Sequence, residues 1–337
     1  MAILQDAPIA ERTSSVLTTT PDVSVCIVNW NCVDLLRKCL ASLMQQPQGV
    51  RFEVVVVDNA SSDGAADMVA EEFPSVALVR NRENVGFSRG NNQAASVARG
   101  RYLFFLNNDT VLNPFTLREF VRFSDRNPGI GMVGPRLRGA DGGSQISYRR
   151  KPTLAALLHR ISLLRWTGLF RGAYYEYRRD TFDPNGVRSV EVLMGAAVFL
   201  PRTVFEQSGR WDERYRFGGE DLDLSTQVGR SHPVVYFGNV EVVHYGRVAS
   251  RANTAFSAPN VTIGYVHYFR KAGVSRPAML LYKTLVTVDA PVQLIGKLLQ
   301  AGWRRLQGRT TKARKSWLAA CGIWHFLSAE LIPFWRA

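Results

Sequence analysis

The chain has 337 residues, of which 46% are hydrophobic and 21% charged, and its net charge is +14. This length exceeds the roughly 250–300 residues at which a single core stops growing, so we expect one large domain with appendages or two unequal domains. The composition excludes disordered, collagen-like and low-complexity chains. The four cysteines form no CxxC pair and are too sparse for a disulfide framework, which predicts reduced thiols in a cytosolic protein.

The N-terminal residues 1–20 carry Asp6 and Glu11 but neither a basic start nor an apolar core, which argues against a signal peptide. We expect them to form a flexible extension. Two late apolar stretches, residues 278–303 and 317–335, are interrupted by charged residues and prolines. Since neither is an uninterrupted run of about 20 apolar residues, the sequence predicts no transmembrane helix.

Residues 21–107 alternate short apolar segments with amphipathic ones, the pattern of a parallel sheet flanked by helices. Strands are predicted at residues 23–29, 52–58, 76–80 and 101–107. Helices are predicted at residues 33–46, 65–73, 91–99 and 114–127. Near-continuous apolar runs such as FEVVVVD suit a sheet that is buried on both faces, so we expect an α/β fold.

The pattern changes after residue 128. Residues 129–177 are less regular, a second apolar strand is predicted at residues 190–201, and a mixed region ends near residue 245. Residues 246–273 are predicted as loop and helix in alternation, and residues 276–337 as entirely helical. The sequence therefore indicates one domain at 21–275, whose two halves divide at residue 128, and a helical C-terminal extension at 276–337.

Two segments account for the whole net charge: residues 147–180 contribute +6 and residues 276–337 contribute +8. Both are also rich in large apolar side chains, among them Leu163, Trp166, Leu299 and Trp303. Basic and aromatic residues together predict contact with an anionic membrane surface. A nucleic-acid surface is the alternative, but no zinc-finger spacing, RNP-like run or basic-region heptad supports it, so we expect no nucleic-acid partner.

Polar side chains follow three of the predicted strands, where a parallel α/β sheet binds its ligands. They are Asn29, Asn31, Asp58, Asn59, Asn107, Asn108 and Asp109. Gly86 and Gly90 flank Arg89 just before a helix, which suits a diphosphate. Because the chain has no GxGxxG after its first strand and no GxxxxGK[ST], it does not match dinucleotide oxidoreductases or P-loop enzymes.

A second cluster, Glu220, Asp221 and Asp223, follows a pair of glycines. Three carboxylates at a helix start are favoured by the helix dipole alone. Crowding and partial burial also suit one of them to accept a proton as a general base, and the sequence does not decide which. His244 stands alone at a strand end, where it is either structural or a ligand.

Taken in order, CIVNWN, VVVVDNASSD, NVGFSRGNN, LNNDT, MGAAVFLPR, FGGEDLDL and VVHYGRVAS resemble the motifs of inverting family 2 glycosyltransferases of the GT-A fold. The chain is most similar to bacterial rhamnosyl- and galactofuranosyltransferases of cell-surface polysaccharide assembly. The resemblance covers residues 21–250. It implies a Rossmann-like, mostly parallel central sheet flanked by helices.

The resemblance also implies roles for single residues. Asp58 would recognise the pyrimidine, with Asn29, Asn31, Asn59, Gly86, Arg89, Asn107 and Asn108 around the nucleotide sugar. Asp109 and His244 would hold Mg²⁺ or Mn²⁺. Asp221 would be the catalytic base, with Glu220 as a second catalytic candidate. The resemblance would make 21–128 the nucleotide-binding half and 129–275 the acceptor and catalytic half, and we assign Gly195, Trp211 and Asp223 to the acceptor site.

Two positions depart from the family pattern. The family's DxD motif is Asn107-Asn108-Asp109 here, with one carboxylate, so we expect metal binding to depend on the substrate phosphates. Gln227 stands where the family usually has an arginine.

The resulting hypothesis is a metal-dependent inverting transferase that is peripheral on the cytoplasmic face of the cell membrane. It would use a dTDP- or UDP-sugar, such as dTDP-rhamnose or UDP-galactofuranose, and a polyprenyl-diphosphate-linked saccharide. The alternatives are a sugar nucleotidyltransferase, whose Gly-rich signature is missing after the first strand, and a non-catalytic basic module for lipid or nucleic acid. In this hypothesis residues 276–337 associate with the membrane.

Overall fold

The computed structural model describes residues 10–11, 20–178, 183–246 and 254–337. The chain divides into two compact units, the first within residues 1–149, 182–213 and 221–249 and the second within 150–181, 214–220 and 250–337. The boundary predicted at residue 275 differs from this division, because residues 150–181 and 250–275 belong to the second unit. Most of the extension predicted at 1–20 lies outside the described residues, as do residues 247–250 of the last motif.

Twelve strands are found among the described residues, all in the first unit. They are β1 (Ala10–Glu11), β2 (Val23–Asn29), β3 (Phe52–Asp58), β4 (Ala77–Arg80), β5 (Tyr102–Leu106), β6 (Thr110–Leu112), β7 (Met132–Arg138), β8 (Tyr148–Arg149), β9 (Val187–Ser189), β10 (Val192–Leu193), β11 (Ala197–Pro201) and β12 (Val234–His244).

The helices alternate with these strands and then continue alone toward the C-terminus. They are α1 (Val33–Met44), α2 (Ala65–Glu72), α3 (Phe87–Val97), α4 (Thr116–Arg126), α5 (Leu154–Leu158), α6 (Ser162–Thr167), α7 (Arg171–Arg178), α8 (Arg202–Gln207), α9 (Glu220–Val228), α10 (Thr254–Lys271), α11 (Arg276–Leu306), α12 (Thr310–His325), a π-helix (Phe326–Glu330) and α13 (Leu331–Arg336).

The main sheet has the strand order β1-β4-β3-β2-β5-β11-β7-β12-β6, and β9 pairs with β12 beside it. Strand β2 is parallel to β3 and β5, and β3 is parallel to β4. Strand β11 is antiparallel between β5 and β7, which marks the start of the mixed half of the sheet. The predicted α/β class, a mostly parallel sheet flanked by helices, is confirmed.

Both faces of β2 are covered, as the apolar runs predict. Val25 and Ile27 belong to one core cluster together with Leu36 of α1. Cys26, between them in sequence, belongs to the opposite cluster together with Ala94 of α3. Because successive side chains of a strand point to opposite faces, a strand covered on both sides must be apolar throughout.

Two predicted elements differ from the structure. Helix α3 begins at Phe87 rather than at residue 91, because Gly86 takes a φ of +87° and lets the chain turn directly into the helix. The strand predicted at residues 190–201 is two strands: β10 pairs with β8 in a separate two-stranded sheet, and β11 lies in the main sheet. The intervening residues 194–196 are in the loop that reaches the candidate site.

A close approach between Gly100 and β2 gives a first testable prediction. A methyl group added at Gly100 would lie 2.5 Å from the backbone nitrogen of Ser24, in a place where no flexible side chain can yield. We expect Gly100→Ala to lower the free energy of unfolding by about 3 kcal/mol or more, measured by urea denaturation. Gly129→Ala is the matched control, because nothing lies within 4 Å of the added methyl group. A change below about 0.5 kcal/mol for Gly100→Ala would contradict this packing.

The second unit is helical among its described residues. Residues 254–271, predicted as alternating loop and helix, form the single helix α10, which contains Pro259. Within residues 150–178, predicted as irregular, lie α5, α6 and α7. Two helical segments, Arg276–Leu306 and Thr310–Arg336, are long and apolar enough to cross a membrane by length and composition, and 28% of the apolar window of each is buried. The charged residues and prolines that interrupt these segments in the sequence therefore do not make them too polar or too short to span a membrane, which differs from the expectation of no such helix.

Candidate functional site

The carboxyl ends of β2 and β3 are joined by a buried hydrogen-bond cluster. Asn29 is fully buried, and its Nδ2 donates to Oδ1 of Asp58 at 3.1 Å and to Oγ of Ser61 at 3.2 Å. The other carboxylate oxygen of Asp58 accepts from the Ser61 backbone N–H at 2.9 Å. Nδ2 of Asn108 donates to Oδ1 of Asn29 at 2.6 Å, which brings the end of β5 into the same cluster. These contacts fix the Asp58 carboxylate and the two amide groups in place.

Further polar groups surround this cluster. Asn59 is buried, and its Nδ2 donates to the carbonyl of Gly86 at 3.2 Å, which joins β3 to the start of α3. Asn31 takes a left-handed backbone conformation with a φ of 49°, and its Oδ1 accepts from the Ser62 N–H at 2.8 Å. Arg89 is exposed in the first turn of α3. Hydrogen bonds thus connect the strand-end residues Asn29, Asp58 and Asn108, and a further one connects Asn59 to Gly86. Arg89 follows Gly86 closely in the sequence.

Asp109 and His244 also meet, although 134 sequence positions separate them. Strand β12 pairs with β6, so that His244 lies opposite Thr110, the residue after Asp109. Nε2 of His244 is 3.3 Å from Oδ1 of Asp109. Both side chains are largely buried, and this oxygen of Asp109 has no hydrogen-bond partner among the described residues.

Gln145 determines which nitrogen of His244 faces Asp109. Nε2 of Gln145 donates to the His244 carbonyl at 2.8 Å, and Oε1 of Gln145 lies 2.9 Å from Nδ1 of His244. Since a carbonyl can only accept, the amide orientation is fixed and Nδ1 must donate to Oε1. The lone pair of a neutral His244 is then on Nε2, facing an acceptor oxygen of Asp109.

This pair of facing acceptors suits a divalent cation. For metal–ligand distances of about 2.1 Å, atoms 3.3 Å apart occupy roughly adjacent octahedral positions. No group of three or more His, Cys, Asp or Glu side chains suited to a metal occurs among the described residues. Asp109 and His244 therefore fit a metal whose other ligands are phosphate oxygens and water, which is the usual arrangement for Mg²⁺.

Cys32, at the start of α1, is also near this pair. Burial raises the pKa of its thiol, the Asp109 and Asp63 carboxylates raise it further, and a hydrogen bond with Asn108 lowers it. A thiol with a raised pKa stays protonated at neutral pH.

Asp221, in the first turn of α9, is held on one side only. Its Oδ1 accepts from Nη2 of Arg149 at 2.7 Å and from the Leu222 N–H at 2.7 Å. Oδ2 makes no hydrogen bond within the described part of the chain. A carboxylate fixed through one oxygen and open at the other is arranged to accept a proton.

Asp221 and the end of β5 are connected through residues 195 and 196. The Ala196 carbonyl accepts from the Asn107 N–H at 2.9 Å. A methyl group added at the adjacent Gly195 would lie 3.3 Å from Cβ of Asp221, so glycine allows this close approach. The segment predicted to bind acceptor thus contacts both the asparagine–aspartate motif and the candidate base.

The other predicted residues of this cluster have different surroundings. Trp211 is only 2% exposed and its ring packs edge-on to Phe87 and Phe105, while its assignment to the acceptor site stays a prediction. Asp223 is buried as well, and Nε2 of Gln227 donates to its Oδ1 at 3.4 Å. Glu220 is partly exposed, and the boundary between the two units passes between it and Asp221.

Sequence reasoning missed Gln145, Arg149 and Ser61. Gln145 lies in a polar loop with no motif, and its role depends on β12 returning beside it. Arg149 was counted only as part of a basic segment. Ser61 follows a strand end in a polar stretch, and nothing in the sequence indicates its hydrogen bond with Asn29.

Comparisons with known proteins identify the family and the fold. Residues 24–189 match the model of glycosyl transferase family 2. Over 224 residues the chain is 28% identical to an N-acetylglucosaminyl-diphospho-decaprenol L-rhamnosyltransferase of Mycobacterium tuberculosis, covering 62% of this chain and 71% of that protein. It is also 28% identical over 275 residues to the O-antigen biosynthesis protein RfbC of Myxococcus xanthus. That match covers 79% of this chain but spans only 20% of the length of the relative.

Among solved structures, the chain is similar to the mannosyltransferase PcManGT of Pyrobaculum calidifontis in complex with GDP-Man and Mn²⁺. The two share 18% sequence identity with a TM-score of 0.52, and the match covers 93% of this chain and 89% of that one. At this identity the likeness establishes the fold, which is GT-A.

Proposed function

Residues 24–189 form a family 2 glycosyltransferase domain, and we propose that the chain transfers a sugar, with inversion, from a dTDP- or UDP-sugar to a polyprenyl-diphosphate-linked saccharide. The observation that carries this proposal is the contact of one loop, residues 195–196, with both Asn107 and Asp221. Asn107 belongs to the same motif as Asp109, so this loop connects the motif of the proposed metal ligand with the proposed proton acceptor Asp221. The acceptor class is suggested by the name of the mycobacterial relative, and its lipid anchor would place the reaction at the cytoplasmic face of the membrane.

The donor is bound, in this proposal, at the carboxyl ends of β2, β3 and β5. A pyrimidine presents an N3–H, and the fixed Asp58 carboxylate is a suitable acceptor for it. Arg89 and the N–H groups at the start of α3 are suited to phosphate oxygens. The hydrogen-bonded amides of Asn29 and Asn108 would then lie beside the nucleotide, next to Asp58.

Loss of the nucleoside diphosphate builds negative charge on the leaving phosphate. Asp109 and His244 would hold a divalent metal, which supplies the positive charge that stabilises this departure. The chain's own contribution is to fix both ligand atoms before the substrate arrives, Asp109 through burial and His244 through Gln145.

The acceptor hydroxyl must lose a proton as it attacks the anomeric carbon. Oδ2 of Asp221 takes this proton, while Arg149 holds Oδ1 and sets the carboxylate orientation. Attack from the face opposite the leaving group inverts the anomeric configuration. Gly195 lets the loop of residues 195–196 approach Asp221 closely.

Gln145→Met is expected to weaken Mn²⁺ binding about 10–100-fold, because His244 loses the contact that fixes its tautomer and ring orientation. Mn²⁺ affinity would be measured by electron paramagnetic resonance at saturating UDP. Ser144→Ala, at the exposed neighbouring residue, is the control and should leave it unchanged. Equal Mn²⁺ affinity in Gln145→Met and the unsubstituted chain would contradict the role given to Gln145.

The donor proposal is tested by thermal unfolding with dTDP, UDP, GDP and their sugars, each with and without Mn²⁺. A ligand that binds only the folded state raises Tm by mass action. We expect dTDP or UDP compounds to raise Tm more than GDP compounds, and more with metal than with a chelator. A sugar nucleotidyltransferase would instead respond to nucleoside triphosphates and sugar phosphates, and a non-catalytic basic module would respond equally to any polyanion.

A further inference from the structure

Helix α11 of the second unit carries a continuous apolar stripe on its exposed side. Six side chains of this stripe are 54–69% exposed: Leu281, Val288, Val292, Ile295, Leu299 and Trp303. From Val288 to Trp303 these residues follow one another at spacings of four, three, four and four, which keeps them on one face of the helix. Leu281, two helical turns before Val288, lies on the same face. A helix of a water-soluble protein normally turns such a face toward its core.

The buried side of α11 combines apolar residues, Met279, Tyr282, Ala290 and Ala301, with two charged ones. Lys283 is 7% and Asp289 6% exposed. Nζ of Lys283 donates to the Trp335 carbonyl at 3.0 Å, and both oxygens of Asp289 accept from the Ser162 N–H at 3.1 Å. Burial of two charged side chains beside an exposed apolar stripe suits a helix whose outer face lies against hydrocarbon.

Helix α12 continues this arrangement. Its buried residues are small, including Ala313 and Ala320, and its buried Ser316 donates to Oε1 of Gln300 on α11 at 3.1 Å. Trp317 and Trp324 are 56% and 63% exposed. The two helices therefore form a hairpin with a polar and small-residue interface and an apolar, aromatic exterior.

Cations are concentrated at the turn of this hairpin. They are Arg304, Arg305, Arg309, Lys312, Arg314 and Lys315. No acidic residue occurs between Asp289 and Glu330. Trp303 and Trp317 flank the group, as aromatic residues do at the boundary between headgroups and acyl chains.

The α6 region belongs to the same unit and carries the same combination. Leu163 and Trp166 are 64% and 85% exposed. Through Ser162, the N-terminus of α6 is bonded to Asp289 of α11. Most of the two basic segments noted in the sequence, residues 150–180 and 276–337, thus belongs to one unit.

We propose that the α11–α12 hairpin lies in the interface of an anionic phospholipid bilayer, with its apolar stripe among the acyl chains and its turn cations on the headgroup phosphates. The inference goes beyond sugar transfer and does not depend on it. A second copy of this chain is the less suitable occupant, because two copies would bring like charges together. The hairpin lies on the membrane rather than crossing it, because a crossing would carry six cations through hydrocarbon.

The test uses the full chain and vesicles of phosphatidylcholine, with or without 30% phosphatidylglycerol, in a flotation assay. We expect at least tenfold stronger binding to the anionic vesicles. Arg305→Gln, Arg309→Gln, Arg314→Gln and Lys315→Gln combined should reduce anionic binding about 10²-fold or more, since each cation near the surface is worth about fivefold.

The apolar contribution is tested with Val292→Ser, Ile295→Ser and Leu299→Ser combined, and we expect at least a tenfold loss of binding. Ile146→Ser with Val187→Ser, two half-exposed apolar positions of the first unit, is the matched control and should bind normally. Circular dichroism verifies that each variant retains its helix content.

Three results would overturn the proposal. One is equal binding by the apolar-stripe variant and the unsubstituted chain. Another is self-association in sedimentation velocity that the stripe variant abolishes while vesicle binding is unchanged, which would assign the face to a second copy. The third is retention on vesicles after alkaline carbonate extraction, which indicates a membrane-spanning hairpin.

Discussion

Asp221→Asn is expected to lower sugar transfer about 10²–10⁴-fold while leaving nucleotide affinity and Tm nearly unchanged. The amide is nearly isosteric, and its oxygen can still accept from Arg149 and from the Leu222 N–H, so the local fold should survive. An amide cannot take the proton of the acceptor hydroxyl. The effect should therefore appear in kcat, measured by release of the nucleoside diphosphate at saturating donor and acceptor.

Glu220→Gln and Asp223→Asn are the matched comparisons, because all three carboxylates lie in one turn of α9. If these residues were only favourable charges at a helix start, each substitution would cost about 0.3–1 kcal/mol of stability and leave turnover intact. Asp223 is buried beside Gln227, so its substitution should affect Tm more than turnover. Near-normal turnover in Asp221→Asn, with loss of turnover in a folded Glu220→Gln or Asp223→Asn, would assign the base elsewhere.

Asp109→Asn is expected to lower metal-dependent transfer about 10²–10³-fold, because the proposed site loses its only carboxylate. A bound cation is worth several kcal/mol at a departing phosphate, and each 1.4 kcal/mol is tenfold in rate. Turnover would be measured across a Mn²⁺ titration, with Mn²⁺ affinity determined in parallel.

Asp63→Asn is the control for Asp109→Asn, since it removes a carboxylate from the same region. Asp63 accepts from the Val33 N–H at 2.9 Å, a local structural contact whose loss should cost about 1 kcal/mol of stability. Its turnover should stay within about threefold of the unsubstituted chain. Unchanged Mn²⁺ affinity and turnover in Asp109→Asn would remove the metal from this site.

Local sequence patterns predict the parallel half of the fold well. Strands β2 and β3 begin and end at the predicted residues, because each is an apolar run bounded by polar residues or glycine. The predicted start of α3 is four residues late, since the glycines of NVGFSRGNN suggest a loop. The positive φ of Gly86, which lets the helix begin at Phe87, is not evident from the sequence.

The mixed half of the sheet is less predictable because it depends on distant pairing. Residues 190–201 form an apolar run that local rules describe as one strand, and only their different partners, β8 and β5, divide it. Trp211 shows the same dependence on distant residues. Its ring packs edge-on to Phe87 and Phe105, which are far from it in sequence, so no local pattern indicates this packing.

For the candidate site, residue types at strand ends indicate which groups belong together but not how they are oriented. Asp109 and His244 are proposed as a pair by motif, and the pairing of β6 with β12 brings them within 3.3 Å. The orienting partners Gln145 and Arg149 belong to no motif, so they become visible only in three dimensions.

The most direct measurement of the central claim is a transfer reaction with a polyprenyl-diphosphate-linked N-acetylglucosamine acceptor, dTDP- and UDP-sugars, and Mn²⁺. The anomeric configuration of the product would be determined by nuclear magnetic resonance. We expect one nucleoside diphosphate released per sugar transferred, a product whose anomeric configuration is inverted relative to the donor, and loss of both in Asp221→Asn. Release of a nucleoside monophosphate, retention of configuration, or full transfer by Asp221→Asn would contradict the account.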